Sequence, residues 1–474
     1  MKYAPLYEAL INHNRTNKWS FHVPGHKNGH IFEEKARAHF QSVLPFDVTE
    51  LSGLDDLHHP EGVILEAQAL LASYYKVKQS FFLVNGSTCG NHAMILSSFN
   101  DDDIVLVQRN CHKSVLNGLE LAGVTPVFLH TEMDEEGGYP LGVDLLTIKQ
   151  AVENHPHVKG IILTNPTYYG MQQDIQEIAD FIHSLGGVVL VDEAHGAHFG
   201  LKDMPISSIH KGADMVVQSA HKTLPALTMG AYLHVNSERV DIHRLKHALQ
   251  LVQSSSPSYL IMASLDLSRL YLENLSSVEI KRILSQSEEL RMYIESLPHL
   301  KVMKAPGRYQ LDPLKITVQS DREISGYELQ ELFEKEGLFT ELADDRNILF
   351  VLPLGPLNDT KDLQKVIKKI SDQLARYDMR QRTVQSLKGL SPVSRLSLSY
   401  REMRGLQARP QSIKDSEGKV AAEAVIPYPP GIPLVAKGEQ ITSKHIEEYS
   451  SLKKKGARFQ GITEDHVIYV FDHR

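Results

Sequence analysis

Between Ser80 and Tyr232 the chain repeats one pattern: a short, almost wholly apolar run, then a longer stretch with helical spacing of its apolar residues. The runs are Phe81–Val84, Ile104–Val107, Val127–Leu129, Gly160–Leu163, Val188–Val191 and Met215–Val217. Runs this short, without polar alternation, read as strands buried on both faces. Between the fourth and fifth, Ile175, Ile178, Ala179, Ile182 and Leu185 share one face of a helix over Asp174–Leu185, which Gly186-Gly187 ends. Strand, crossover helix and strand in this order make a right-handed parallel unit, and a series of such units implies an α/β sheet with helices on both faces. Ligands of such sheets sit beyond the carboxyl ends of the strands, so the chemistry is expected directly after each apolar run.

Composition narrows the class further. A chain of 474 residues is long enough for two or three domains with substantial cores. Its two cysteines, Cys89 and Cys111, cannot build a disulfide framework, and a reducing, cytoplasmic setting explains their scarcity. Met1 to Trp19 has no basic stretch followed by an apolar core, so no signal peptide is expected. No apolar run approaches the roughly 20 residues of a membrane helix, so a soluble protein is expected. With 50 Lys+Arg against 58 Asp+Glu the net charge is -8, which argues against a general nucleic-acid surface and mildly favours small cationic partners.

Four regions are expected. Residues 1–55 form an N-terminal arm with the turn-rich segment Phe21 to Lys27, and residues 56–300 hold the apolar runs in a large domain. Residues 301–385 form a small α/β domain with a strand at Leu314–Val318, a helix at Gly326–Glu336, an apolar run at Asn347–Leu354 and a charged helical stretch from Thr360 to Arg382. Residues 386–474 form a C-terminal domain, in which Pro427-Tyr428-Pro429-Pro430-Gly431-Ile432-Pro433 is a rigid lead-in and Lys453-Lys454-Lys455 a solvated helix end.

Three strand ends converge on one chemistry. After Phe81–Val84 comes Asn85-Gly86-Ser87-Thr88-Cys89-Gly90-Asn91, small and hydroxyl residues at a helix start, which can offer N–H groups and the positive end of the helix dipole to an anion. It is not a nucleotide P-loop, because the Lys-Ser/Thr ending is missing. Val188–Val191 runs into Asp192, and Met215–Val217 into Gln218-Ser219-Ala220-His221-Lys222-Thr223. A carboxylate, a later lysine and an anion-binding helix start are what pyridoxal 5'-phosphate requires: an amine for its aldehyde, a negative charge for its pyridinium and a phosphate seat. Singly, Asp192 reads as a helix cap, Lys222 as a loop lysine and the glycine-rich turn as an ordinary cap; together they favour the cofactor.

These segments carry a family resemblance. The stretches Phe21–Lys27, Thr49–His58, Leu83–Asn91, Gln108–Ser114, Asp192–Gly196, Ser219–Thr223 and Pro427–Pro433 resemble those of the ornithine/lysine/arginine decarboxylases of the aspartate-aminotransferase fold, in the short form without an N-terminal receiver-like domain. The resemblance implies an α/β fold: a fold type I large domain of the pyridoxal-phosphate-dependent transferases with a mostly parallel sheet, and smaller α+β C-terminal domains. It assigns the cofactor-bound lysine to Lys222, the pyridine-nitrogen partner to Asp192, ring contacts to His112 and Ala194, and further cofactor-loop positions to Cys89 and His195. Ser87, Thr88, Ser219 and His221 would contact the phosphate, with His221 or Lys222 able to move a proton. Lys222, Asp192, His221 and His112 are thus the candidate catalytic residues. Ser255 and Ser256 resemble a segment that reaches a neighbouring subunit's cofactor, implying a homodimer or larger homo-oligomer with the active site at the subunit interface.

The implied reaction is decarboxylation of a basic amino acid, arginine to agmatine first and lysine or ornithine as alternatives, in polyamine biosynthesis. Rival readings are an aminotransferase or lyase of the same fold, with Arg308 or Arg346 as carboxylate binder, and a catalytically silent cofactor-binding paralogue. Asp47, Glu50, Asp55, Asp56, His58 and His59 match no standard metal-ligand spacing, so a solvated or interface loop is expected there and no metal. One of these carboxylates could meet the distal cation of the substrate.

Overall fold

The computed structural model describes residues 2–16, 19–380, 392–427, 432–463 and 465–472. Of the proline-rich lead-in, residues 428–431 lie outside the described residues, as do 381–391 of the serine- and arginine-rich stretch. The chain divides into two compact units. The first comprises Met1–Ser98, Leu190–Lys202 and Ile206–Ser277, and the second Phe99–Val189, Asp203–Pro205 and Val278–Arg474.

In the first unit the strand ending at Asp192 runs parallel to Met215–Gln218, with Asp192 opposite Val217. Met215–Gln218 pairs antiparallel with Ala231–Val235, which pairs antiparallel with Gln79–Leu83. Each of these strands is buried over nearly its whole length, as unbroken apolar runs require. Ala231–Val235 is a strand that periodicity did not isolate. It returns from Met215–Gln218 through a short connection without a crossover helix, and His234 interrupts its apolar pattern, yet all five residues are buried. The helix Gly86–Ser98 leads directly out of the turn after Gln79–Leu83. Pro5–Thr16 is tied to Tyr259–Asn274 by a buried knot: Leu6 N–H donates to Asp266 Oδ2 at 3.0 Å, and Arg269 donates to Asp266 Oδ1 at 2.8 Å and Glu273 Oε1 at 3.0 Å.

In the second unit Ile104–Gln108 pairs parallel with Thr125–Leu129 and Val158–Thr164, and Val393–Arg395 adds antiparallel to Thr125–Leu129. The helix Gln176–Ser184 buries Ile178, Ala179 and Ile182, the face its spacing predicts. A separate antiparallel sheet places Lys315–Ser320 between Asn347–Val351 and Leu300–Val302. The helix Gly326–Lys335 opens with a capping box in which Ser325 and Glu328 satisfy each other's backbone N–H groups. The predicted helix from Thr360 to Arg382 is shorter, Thr360–Leu374. Past Leu374 the chain is pulled out of helix by pairing of Met379 with Arg322 and by the Arg380 N–H, which donates to Asp321 O at 2.9 Å. Toward the C-terminus Ala408–Ser412 pairs with Val467–Phe471 over a core of Ile413, Val425, Ile441, Tyr449 and Val470. Among the described residues no helix is long and apolar enough to cross a membrane.

Candidate active site

Asp192 is the last residue of its strand and is buried. Its Oδ2 accepts from Asn91 Nδ2 at 2.9 Å and its Oδ1 from the Ala194 N–H at 3.1 Å, so both oxygens are held in a fixed plane. Lys222 lies in the single helical turn Ala220–Thr223 that follows the neighbouring strand. Its Nζ is 3.2 Å from His195 Nε2. With Lys222 as ammonium, Nε2 is the acceptor and the ring proton of His195 sits on Nδ1. The loops after the two strands are stitched through their backbones, Glu193 N–H to Val217 O at 2.9 Å and Ser219 N–H to Ala194 O at 3.2 Å.

The start of Gly86–Ser98 forms the third side. The Gly86 N–H donates to Met229 O at 2.8 Å, and Gly86 takes φ +74°, a left-handed turn that glycine adopts without strain. Ser87 and Thr88 stand in the first helical turn, whose N–H groups have no partners within the helix. Ser219 Oγ donates to Ser87 Oγ at 2.9 Å, joining the lysine loop to this helix start. A Cβ on Gly90 would come within 2.4 Å of Val217 and 2.6 Å of Leu83, so glycine is what lets the helix seat against the strand ends. Cys89 donates its thiol to Gly86 O at 3.1 Å, and burial pushes that thiol up to about 12, so it is a packing group and not a nucleophile.

His221 Nδ1 is 3.0 Å from Gly230 O; a carbonyl only accepts, so Nδ1 carries a proton and Nε2 is the basic nitrogen of the neutral ring. His112 belongs to the second unit, where it caps the helix Lys113–Ala122 by accepting from the Ser114 N–H at 3.2 Å. The loop leading to it is pinned by Arg109, which donates to Pro433 O at 3.0 Å and Glu439 Oε2 at 2.9 Å. Ser255 and Ser256 are exposed. In the acidic loop, Asp55 accepts from the N–H groups of Asp56, Glu61, Gly62 and Ile64, which organises the start of Val63–Tyr75; His58 Nε2 meets Ser254 O at 2.8 Å. Arg308 is taken up by Glu132 at 3.0 Å and Asp144 at 3.4 Å.

Sequence reasoning missed three buried groups beside these residues. Asn91 lies four residues after Ser87, on the same helical face, a spacing that could have signalled it. Glu193 and Gln218, both fully buried, gave no such signal. Glu193 Oε1 accepts from Ser207 Oγ at 2.6 Å and Gln218 Nε2 at 2.7 Å, and Oε2 accepts from the Ser208 N–H at 2.7 Å. Gln218 Oε1 is 3.1 Å from His234 Nε2, and His234 Nδ1 is 2.8 Å from Ser80 Oγ. Because the Gln218 amide N–H donates to Glu193, its oxygen faces His234, which must carry its proton on Nε2 and accept from Ser80 on Nδ1.

Burial pushes Glu193 up to about 7 from the usual 4.5, and burial with nearby His210 pushes His234 down to about 3 from 6.5. The two act oppositely on stability. Folded Glu193 holds its proton more tightly than unfolded, so stability falls as pH rises from about 4.5 to about 7. His234 stays neutral in the fold, so its contribution is lost as pH falls from 6.5 toward about 3. His234→Gln should therefore lose stability relative to wild type by about 1.4 kcal/mol per pH unit on going from about pH 4 to about pH 6. Urea unfolding at several pH values checks this; parallel curves for the two proteins would contradict it.

The donor set fits pyridoxal phosphate: an amine at Lys222, an oriented buried carboxylate at Asp192, and hydroxyl and N–H donors at the start of Gly86–Ser98. The buried Thr223 hydroxyl, on the residue after Lys222, has no hydrogen-bond partner among the described residues, a polar group to spare in the lysine turn. Similarity to known proteins points the same way. The family descriptions "Orn/Lys/Arg decarboxylase, major domain" and "Orn/Lys/Arg decarboxylase, C-terminal domain" match residues 4–308 and 381–466. The chain is 46% identical to the uncharacterized protein YaaO of Bacillus subtilis (strain 168), covering 97% of this chain and 96% of that one. It is 33% identical to the arginine decarboxylase of Bacillus cereus, covering 94% and 99%. The structure of the Escherichia coli constitutive lysine decarboxylase shares the fold at a TM-score of 0.81 and 20% identity, over 99% of this chain and 82% of that one. The α/β architecture is that of fold type I pyridoxal-phosphate enzymes. With its major-domain match running through the Asp192 and Lys222 loops, the chain belongs to the Orn/Lys/Arg decarboxylase family and is a pyridoxal-phosphate-dependent amino-acid decarboxylase.

Proposed function

We propose that this enzyme decarboxylates arginine to agmatine, a product that would feed polyamine synthesis. The observation that carries the reading is the placement of Asp192 and Lys222 at the ends of two adjacent parallel strands, with His195 3.2 Å from the lysine amine. Arginine is favoured over lysine because arginine decarboxylases stand at 33% and 31% identity, whereas the lysine decarboxylase of Pseudomonas aeruginosa stands at 25%.

When bound, the cofactor supplies an electron sink for the pair left on the α-carbon as carbon dioxide departs. The rest is the work of this chain. Lys222 would hold the cofactor's aldehyde carbon and yield that position to the substrate amine. Asp192, kept in plane by Asn91 and Ala194, would hold the proton of the pyridine nitrogen. Ser87, Thr88, Ser219 and the N–H groups of the helix start would bind the phosphate, with Cys89 packing that turn, and Ala194 and His112 would bound the ring. Lys222 or His221, through Nε2, would deliver a proton to the substrate Cα. His195 would steer the lysine amine. An aminotransferase would need an arginine for the substrate carboxylate, and the pairing of Arg308 with Glu132 and Asp144 speaks against that use.

We further infer a homodimer in which Ser255 and Ser256 approach the partner's cofactor. Their exposure supports it, as does the apolar surface of Trp19, Phe21, Val23 and Ile31 on the arm, which a partner would cover. One preparation tests the whole reading. Supplied with cofactor and separately with arginine, lysine and ornithine, it should release carbon dioxide and the matching amine fastest from arginine, and light scattering should give twice the chain mass. Faster turnover of lysine or ornithine would overturn the substrate assignment, and a monomeric active enzyme the dimer.

A further inference from the structure

The buried polar chain from Ser80 through His234, Gln218 and Glu193 to Ser207 and Ser208 lies in the first unit and joins four neighbouring strands or the loops leaving them. Its position along the sequence gives it meaning. Glu193 immediately follows Asp192, and Gln218 immediately precedes the Ser219–Lys222 turn. The Glu193–Gln218 bond is a side-chain strut between the loop bearing the carboxylate and the loop bearing the amine. Gln218 Nε2 adds a second tie, to Gly196 O at 3.3 Å, on the far side of His195.

Such a strut is costly to build. Glu193, Gln218 and His234 are each fully excluded from solvent, where apolar side chains of similar size would carry no desolvation penalty. The hydrogen bonds are all directional and mutually consistent: hydroxyl to imidazole, imidazole to amide oxygen, amide N–H to carboxylate. A network of this kind specifies one spacing between the groups it joins, which generic packing does not. Tyr75 closes it from the side, its ring tilted 35° against that of His234 with centroids 4.4 Å apart and its hydroxyl donating to Ala197 O at 2.5 Å.

We propose that Glu193 and Gln218 are positioning residues that set the separation of Asp192 and Lys222, and with it the fit of the two loops to opposite ends of the cofactor ring. The proposal rests on the reading that Asp192 and Lys222 hold that ring. Neither strut residue touches the reacting atoms; they act through the residues beside them.

The test compares Glu193→Ala, Glu193→Gln and Gln218→Met in the full-length, cofactor-loaded protein. Five quantities are read: the rate of cofactor loss on dilution, the absorption of lysine-bound cofactor, the pH midpoint of its change, kcat and KM. Glu193→Ala and Gln218→Met should each lose cofactor roughly tenfold faster, shift the absorption midpoint and lower kcat roughly tenfold or more, with KM within about twofold. Glu193→Gln keeps the oxygen that accepts from Gln218 and Ser207 but sets an amide N–H against the Ser208 N–H, so it should recover part of the loss and fall between Glu193→Ala and wild type. Gln218→Met conserves volume, so it carries the comparison should Glu193→Ala not fold. Variants that melt earlier but keep wild-type absorption midpoint, cofactor retention and kcat would reduce the strut to a purely structural role and overturn the proposal. If instead wild-type protein shows no lysine-bound absorption, or Lys222→Ala retains it, the underlying site reading fails and not the strut alone.

Discussion

Lys222→Ala should lower turnover by about 10²–10⁴-fold from lost proton transfer alone, and should abolish the visible absorption of lysine-bound cofactor. The geometry gives both effects to one atom. Nζ is the amine at the end of a single helical turn held by the Lys222 N–H to Ser219 O and the His221 N–H to Gly230 O, so the side chain leaves a rigid base. Its 3.2 Å approach to His195 Nε2 aims it along one direction. Alanine removes the amine and leaves that base intact, so the protein should fold and still take up cofactor, now without a covalent link. Added small primary amines should restore part of the lost rate if the missing group is chemical and not architectural. Retained absorption in Lys222→Ala would show that another amine holds the cofactor and would sink the assignment.

Asp192→Asn should cost on the order of 10²–10³ in kcat, the scale seen when a preorganised electrostatic partner of the reacting system is removed. The substitution keeps size and one acceptor oxygen but removes the negative charge that would face the pyridine nitrogen. It also sets an amide N–H against one of two existing donors, Asn91 Nδ2 or the Ala194 N–H, so the side chain can no longer satisfy both. Reduced electron withdrawal should appear as low kcat with substrate binding little changed. Replacing the cofactor by an analogue carrying a fixed positive charge at the ring nitrogen should rescue Asp192→Asn and have little effect on wild type. Turnover of Asp192→Asn within about twofold of wild type would remove Asp192 from the role.

Much of this candidate site is legible in the sequence because its residues lie at the ends of apolar runs. Asp192 ends one strand buried on both faces and Lys222 follows another, and such strands announce themselves by composition. Ala231–Val235 escapes the same reading because His234 sits among its apolar residues, and only its pairing with both neighbouring strands reveals why a histidine can be buried there: Ser80 lies directly opposite it on one strand, and Gln218, two residues along from its partner Val216 on the other, reaches it with its side-chain oxygen. The helix from Thr360 ends earlier than its pattern predicts for a related reason. Its charged, amphipathic pattern continues past Leu374, but bonds from residues 379 and 380 to the distant 321–322 turn end it.

The linear sequence by itself determined the fold class and the cofactor, and it nominates Asp192 and Lys222 for the two ends of that cofactor, since each is written in local periodicity or in a short contiguous motif. Tertiary structure alone decided what orients them: Asn91 and Ala194 on Asp192, His195 on Lys222, and the strut of Glu193 and Gln218 beneath both. The reason is physical. Burial of an apolar strand depends on its own side chains, whereas a buried carboxylate or imidazole is tolerable only where donors and acceptors from other strands meet it, and those partners are brought together by the folded sheet.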